Sequence, residues 1–223
     1  MVWAVLAAAG RGERLGSERP KAFARLGGRP LLAESLERLE RSEWIDFIVI
    51  AAPAEWEEPA ILLAEELGAG KVSSVVTGGA SRSESVREAL AEVADDAAVV
   101  LVHDAARPLL PEAVIERVLA PLNEGWDAVV PGLPLRDTVK RVAGERVVET
   151  LARGELVAVQ TPQAFIASVL RDALAGDVAE ASDCASLVED RGGRVKVVEG
   201  DARLLKVTGA EDLALVESRL SAQ

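Results

Sequence analysis

A chain of 223 residues, 49% hydrophobic and 28% charged, is long enough for one well-filled core or one core with an appendage. Its formal net charge of −12 argues against a nucleic-acid partner, and no apolar run approaches the length of a membrane span. One cysteine, Cys184, and one histidine, His103, exclude an internal disulfide, a Cys-rich zinc site and a His-dominated metal site.

The chain opens on Val2-Trp3-Ala4-Val5-Leu6, which reads as a buried strand with no basic, cleavable leader ahead of it, so a soluble cytoplasmic protein is expected. Ala7-Ala8-Ala9-Gly10-Arg11-Gly12 follows as a small-residue turn. Its bare backbone N–H groups, with Arg14 and Lys21 close behind, suit a polyphosphate. In the first thirty positions six basic residues stand against two acidic ones, a local charge of +4, so the rest of the chain carries −16. Such an island on an acidic protein points to one small anionic ligand rather than to general stickiness.

Strands are predicted at 2–7, 45–51, 72–76, 98–103 and 127–131, with amphipathic helices near 31–41, 58–67, 82–94 and 111–122 between them. This alternation predicts an α/β fold, a Rossmann-like, mainly parallel sheet with helices on both faces. Ser81-x-x-Glu84 is a capping box, Pro111 suits a first helical turn, and Thr208-x-x-Glu211 is expected to cap a last helix. After Pro131 the pattern breaks. Thr138–Val142 and Arg146–Thr150, joined by Ala143-Gly144-Glu145, read as a β-hairpin. A lone hairpin is marginal in water, so an arm at about 133–156 is expected to pack on a second copy of the chain. Otherwise residues 1–223 read as a single domain.

Ligands of open α/β sheets bind beyond the carboxyl ends of the strands. Three segments should therefore share one rim: Ala8 to Lys21, Gly78 to Ser85, and His103 to Pro108. The Gly78-Gly79 pair permits close backbone approach to a ring or phosphate, and Ser85 lies on the first turn of its helix. Asp104 suits a ribose hydroxyl or the orientation of Mg²⁺, and Arg107 could brace Asp104 or bind substrate. Ordinary roles are expected elsewhere: surface ion pairs for Arg11, Arg25 and Arg29, a satisfied strand-end position for His103, an inert thiol for Cys184, and turns at Gly27-Gly28 and Gly192-Gly193.

Leu6-Ala7-Ala8-Ala9-Gly10-x-Gly12-x-Arg14-Leu15 followed by Pro20-Lys21 resembles the signature of sugar- and polyol-phosphate nucleotidyltransferases. Within that group, Val102 to Pro108, Arg136-Asp137-Thr138-Val139-Lys140, Gln160-Thr161-Pro162-Gln163 and Leu205-Lys206-Val207-Thr208 resemble the 2-C-methyl-D-erythritol 4-phosphate cytidylyltransferases, from Val2 to about Glu217. The resemblance implies transfer of the cytidylyl group of CTP to 2-C-methyl-D-erythritol 4-phosphate, releasing pyrophosphate, a step of the non-mevalonate isoprenoid route. It implies catalytic roles for Arg14 and Lys21 as cationic stabilisers, with Mg²⁺ carried mainly by the triphosphate and Asp104 a lesser candidate ligand. It assigns nucleotide contacts to Ala8, Ala9, Gly10, Gly79, Ala80, Ser85, Asp104 and Ala105. Thr138, Arg153 and Lys206 match residues that hold the polyol phosphate, and Arg107 joins them as a substrate-positioning residue. It also implies a homodimer with swapped arms, placing Thr138 and Arg153 in the partner's site.

The chain departs from the family's common Thr-Asp-Glu-Ala-Ser at Ser182-Asp183-Cys184-Ala185-Ser186, where the middle carboxylate is gone, and has Ala152 where an acid commonly precedes Arg153. Two other readings share the frame: a ribitol-5-phosphate cytidylyltransferase, whose relatives tend to show Ser-Val-Arg-Pro where this chain has Ala105 to Pro108, and a non-catalytic nucleotide-binding module, which retention of Arg14 and Lys21 disfavours.

Overall fold

Short apolar runs buried on both faces become the central strands of the main sheet, as expected where helices cover each side. The computed structural model describes residues 1–10, 12, 19–178 and 181–221. β1 (Val2–Ala7) leads through the phosphate-suited turn to a 3₁₀ turn at Lys21–Phe23 and a small hairpin of β2 (Arg25–Leu26) and β3 (Arg29–Pro30), closed by Gly27-Gly28. Then come α1 (Leu31–Arg41), β4 (Phe47–Ala52), α2 (Glu57–Glu66), β5 (Val72–Thr77), α3 (Arg82–Leu90), β6 (Val99–Asp104), α4 (Glu112–Leu119) and β7 (Ala128–Pro134). The arm is β8 (Lys140–Ala143) and β9 (Arg146–Thr150). The chain returns through β10 (Val157–Val159), β11 (Gln163–Ile166), α5 (Ala167–Leu174), α6 (Cys184–Glu189), β12 (Val195–Glu199) and α7 (Ala210–Leu220).

Most expected elements stand within a few residues of their predicted bounds. The helix read to 122 stops at Leu119, because Pro121 lacks the N–H that an α-helix needs there, and the chain tightens into a 3₁₀ turn at Ala120–Glu124. α3 ends at Leu90 rather than 94, its continuation consisting of tighter i→i−3 bonds from Glu92 and Val93. The cap of α7 also differs. Asp212, not Glu211, accepts from Thr208 N, Thr208 Oγ1 and Gly209 N.

The sheet runs β10-β7-β11-β6-β1-β4-β5, with β12 beside β7. β1 pairs in parallel with both β4 and β6, β4 with β5, and β12 with β7, whereas β10 and β11 are antiparallel insertions. The sheet is therefore mixed, although mainly parallel. β1 lies where the order reverses: β4 and β5 extend to one side of it and β6 to the other. Such a switch point opens a crevice at the strands' carboxyl ends.

Alternation along β1 divides the core into two layers. Ala4 and Leu6 join Ile48, Ile50 and Leu101 under Leu32, Leu36 and Leu39 of α1 and Val114, Ile115 and Val118 of α4. Trp3 and Val5 join Val49, Val100, Val102 and Phe165 under α3, α5 and α6. A smaller cluster of Leu26, Leu31, Leu109, Val207 and Val216 seats α7 against the β2–β3 hairpin. The layers hold rigid the strand ends from which the site is built.

Candidate active site

Beyond the carboxyl ends of β1 and β6, where Ala7 lies opposite Asp104 in the ladder, the surface opens into a cleft of about 490 Å³. Ala8, Ala9, Gly10 and Lys21 form its first wall, Gly79, Ala80, Arg82 and Ser85 its second, and Asp104, Ala105 and Lys206 its floor and far side. The three strand-end segments predicted to share a rim do share it, and the volume suits a nucleotide-sized ligand.

Two glycines explain how the walls come so close. Gly12 has φ +72, and a Cβ there would lie 2.6 Å from Lys21 Cβ, so the turn folds directly onto the lysine. Lys21 N donates to Gly10 O at 3.3 Å, closing the loop. A Cβ at Gly78 would lie 2.3 Å from that of Ala9, so the bare backbone of the loop after β5 packs directly on the Ala9 methyl of the loop after β1. The Ser81–Glu84 capping box then starts α3, and Ser85 Oγ donates to Ser81 O at 2.8 Å. Arg14 lies outside the described residues.

Electrostatically the cleft is a cationic collar. Lys21, Arg82 and Lys206 line it against one carboxylate among the described lining residues, Asp104. Asp104 is 5% exposed; Arg82 Nε donates to Oδ1 at 2.7 Å and Lys206 Nζ to Oδ2 at 2.7 Å. Burial alone would raise the Asp104 carboxyl, but these two cations outweigh it and hold it far below the usual carboxylate range. Both oxygens are thus engaged, and among the described residues no group of three acids, histidines or cysteines forms a metal cage. A Mg²⁺ entering here with a triphosphate would find its oxygens chiefly on the phosphates.

Beneath the floor lies a sealed polar network. Asp104 N donates to Thr161 Oγ1 at 3.0 Å, Thr161 Oγ1 lies 3.1 Å from His103 Nδ1, and His103 Nε2 lies 3.1 Å from Arg107 O. Because a carbonyl only accepts, Nε2 carries the proton, and the threonine hydroxyl donates to Nδ1. Burial pushes the His103 pKa down to about 4, so the ring is neutral at ordinary pH. The expectation of a satisfied strand-end histidine holds. Cys184 is buried beside Arg82, its Sγ 3.6 Å from Nη1, and burial pushes its thiol up to about 11 against the pull of Arg82.

Other predicted residues stand apart from the cleft. Arg107 turns inward, donating to Leu204 O and, at 3.5 Å, to Val159 O; it braces the segment that carries Lys206. Gln160 exchanges two bonds of 2.9 Å with the backbone of Asp201, pinning the start of the same segment. Thr138 and Arg153 lie on the exposed arm, Arg153 donating to Arg136 O, and neither lines the cleft of its own chain. Arg82 is the cleft residue that sequence reasoning missed. Its signal was there: a cation at the first position of a helix faces the positive end of the macrodipole and needs a nearby anion to offset it.

The family model for 2-C-methyl-D-erythritol 4-phosphate cytidylyltransferase matches residues 2–222. The chain belongs to this cytidylyltransferase family. It is 48% identical over 220 residues to the Nocardia farcinica 2-C-methyl-D-erythritol 4-phosphate cytidylyltransferase, covering 98% of this chain and 94% of that one. The crystal structure of the Thermus thermophilus cytidylyltransferase superposes with a TM-score of 0.79 at 35% identity, covering 98% of each chain. That of the Anaerococcus prevotii 4-diphosphocytidyl-2C-methyl-D-erythritol synthase gives 0.85 at 27% identity over 99% of this chain and 98% of that one. The Gln160-Thr161-Pro162-Gln163 segment has a structural role in this chain: Gln160 holds the Lys206 segment, Thr161 supports Asp104 and His103, and Gln163 Nε2 donates to the α6 cap Asp183 at 2.6 Å.

Proposed function

We propose that the cleft transfers the cytidylyl group of CTP to 2-C-methyl-D-erythritol 4-phosphate, giving the CDP-linked alcohol and pyrophosphate for isoprenoid precursor synthesis. The observation that carries this reading is the cationic collar of Lys21, Arg82 and Lys206 around the small-residue turn at the β1/β6 switch point. One phosphate oxygen of the acceptor attacks the α-phosphorus as the bond to the β-phosphate oxygen breaks, and pyrophosphate leaves with the electron pair. The nucleophile is already an anion, so no side-chain base is required. Catalysis is in-line positioning and stabilisation of charge at the α-phosphorus and the departing pyrophosphate.

In this reading the Ala8-Ala9-Gly10 backbone and Lys21, together with Arg14, hold the triphosphate. The Gly79-Ala80 backbone and Ser85 read cytosine. Asp104 and Ala105 meet the ribose and phosphate. Lys206 faces the acceptor phosphate, and Arg107 serves through the backbone it braces. His103 is 0% exposed with both ring nitrogens engaged, so it takes no part in proton transfer. A Mg²⁺ bound with the triphosphate would supply charge neutralisation on its oxygens.

The arm supports a homodimer. All residues of β8 and β9 are exposed in one chain, and Val142, Val147 and Val148 are each more than half exposed, an apolar surface that calls for a partner. Thr138 and Arg153 then complete the acceptor pocket of the partner chain. No helix of the described residues is long and apolar enough to cross a membrane, and a cytoplasmic enzyme fits the CTP it uses. Pyrophosphate release from CTP, measured with methylerythritol phosphate and ribitol 5-phosphate in turn, tests the reading. Turnover with the first alone is expected; turnover with ribitol 5-phosphate alone, or CTP binding without turnover, refutes it.

A further inference from the structure

Arg82 sits at the first position of α3, where the macrodipole disfavours a cation, yet the Ser81–Glu84 capping box fixes it there. Its guanidinium is only partly open to solvent, with a side-chain exposure of 22%. One edge is committed to Asp104 through Nε at 2.7 Å. The other arms face inward: among the described residues Nη1 meets the Cys184 sulfur at 3.6 Å, and Nη2 is buried with no hydrogen-bond partner. A buried, unsatisfied guanidinium arm costs free energy. Something in the arrangement must require the arginine.

The Asp104 carboxylate shows what that is. One oxygen takes Arg82 and the other takes Lys206, so two ion pairs through one carboxylate link α3 to the segment before α7. Lys206 is 39% exposed on a long flexible stem, and its ammonium is held at the wall by Asp104 Oδ2. If Arg82 leaves, the buried carboxylate keeps one cation, turns toward it, and draws the ammonium out of the cleft. The Cys184 sulfur takes only a long contact of 3.6 Å from Nη1, so among the described residues Asp104 is the carboxylate that holds Arg82. A carboxylate at position 184 would have divided it.

We infer that Arg82 is a positioning residue for the transfer: by fixing Asp104 from one side it sets where Lys206 presents its charge to the acceptor phosphate. The inference rests on the proposed cytidylyl transfer for the identity of that phosphate. Misplacing a positioning cation by about 1 Å is enough for a loss on the order of a hundredfold.

The test compares wild type with Arg82→Ala, Arg82→Lys and Cys184→Ala, each checked by circular dichroism and melting temperature. For Arg82→Ala, the KM for methylerythritol phosphate is expected to rise at least about tenfold and kcat to fall by a similar factor. Millimolar guanidinium chloride should restore part of the loss by refilling the gap beside Asp104, whereas sodium chloride of equal ionic strength should not. Cys184→Ala, which removes the neighbour and keeps the ion pair, should leave turnover near wild type. Wild-type kinetics in Arg82→Ala, or a loss that guanidinium does not touch, overturns the inference. Should Arg82→Ala not fold, Arg82→Lys carries the test, since it keeps the charge and loses the fork; an unchanged KM for the polyol phosphate in it refutes the role. Wild-type protein inactive with methylerythritol phosphate would instead refute the proposed reaction. Titration calorimetry with inorganic phosphate on wild type and Arg82→Ala, with and without guanidinium, would then still read the placement of Lys206: weakened, rescued binding supports the inference and unchanged binding overturns it.

Discussion

Replacing Lys21 by alanine removes a charge from the cleft while leaving the backbone that shapes it. The bond from Lys21 N to Gly10 O at 3.3 Å and that from Ala24 N to Lys21 O at 3.1 Å are main-chain contacts and survive the change. The side chain is only half-buried, so the stability cost should be about 0.5 kcal/mol, the ordinary scale for a surface substitution. The catalytic cost is larger. A unit charge about 4 Å from developing phosphate charge, at an effective dielectric of about 20, contributes roughly 4 kcal/mol. Loss of one preorganised donor to a developing oxyanion typically costs about 2.7 to 4 kcal/mol. Turnover should therefore fall on the order of a hundredfold to a thousandfold, with the melting temperature within a few degrees of wild type. A coupled pyrophosphate assay under saturating CTP, run beside a thermal melt, measures both. A folded Lys21→Ala enzyme with kcat within about threefold of wild type would show that this ammonium does not meet the reacting phosphates, and the collar argument would fail with it.

Mixing Arg153→Ala chains with Lys21→Ala chains should restore activity, because a swapped arm gathers both lesions into one site and leaves the other intact, giving about half of wild-type turnover per mixed dimer if sites act independently; subunit exchange on a sizing column without recovery would refute the swap. His103→Asn should retain most of its kcat and lose about 1–3 kcal/mol of stability at neutral pH for the broken network, a result a chemical role for the imidazole would contradict. Because the folded His103 pKa is lowered from 6.5 to about 4, the unfolded chain binds the extra proton in that window. Wild-type stability should therefore fall as pH drops from 6.5 toward 4, by on the order of 3 kcal/mol from this residue, and His103→Asn should show a shallower fall. Gly78→Ala forces a methyl to within 2.3 Å of Ala9 Cβ, so the two loops must part; a rise in the KM for CTP is expected at a stability cost of about 1–3 kcal/mol, and an unchanged KM would show that their contact does not shape the nucleotide wall.

Much of this was legible in the residues themselves, for a local reason. A strand such as Val2–Ala7 must bury both faces, a turn of small residues can only bring backbone to a ligand, and Ser81-x-x-Glu84 caps whatever follows it, so these features are written within a few residues of one another. Tertiary structure decided what depends on which strand lies beside which. The short, antiparallel β11 carries no periodic signal of its own and exists because β6 and β7 leave a gap between them. Asp212 caps α7 where Glu211 was the sequence's choice, since the turn at Gly209 aims the former's carboxylate at the free N–H groups. From sequence Arg107 reads as a brace for Asp104 or a substrate contact; the fold instead turns its guanidinium to Leu204 O and Val159 O. Arg82, Asp104 and Lys206 come from three separate stretches of chain; Asp104 reads as a strand-end acceptor and Lys206 as a family match, but nothing local joins either to Arg82. Only the tertiary fold brings Arg82 and Lys206 each to 2.7 Å from Asp104, where a carboxylate taken out of water needs both cations.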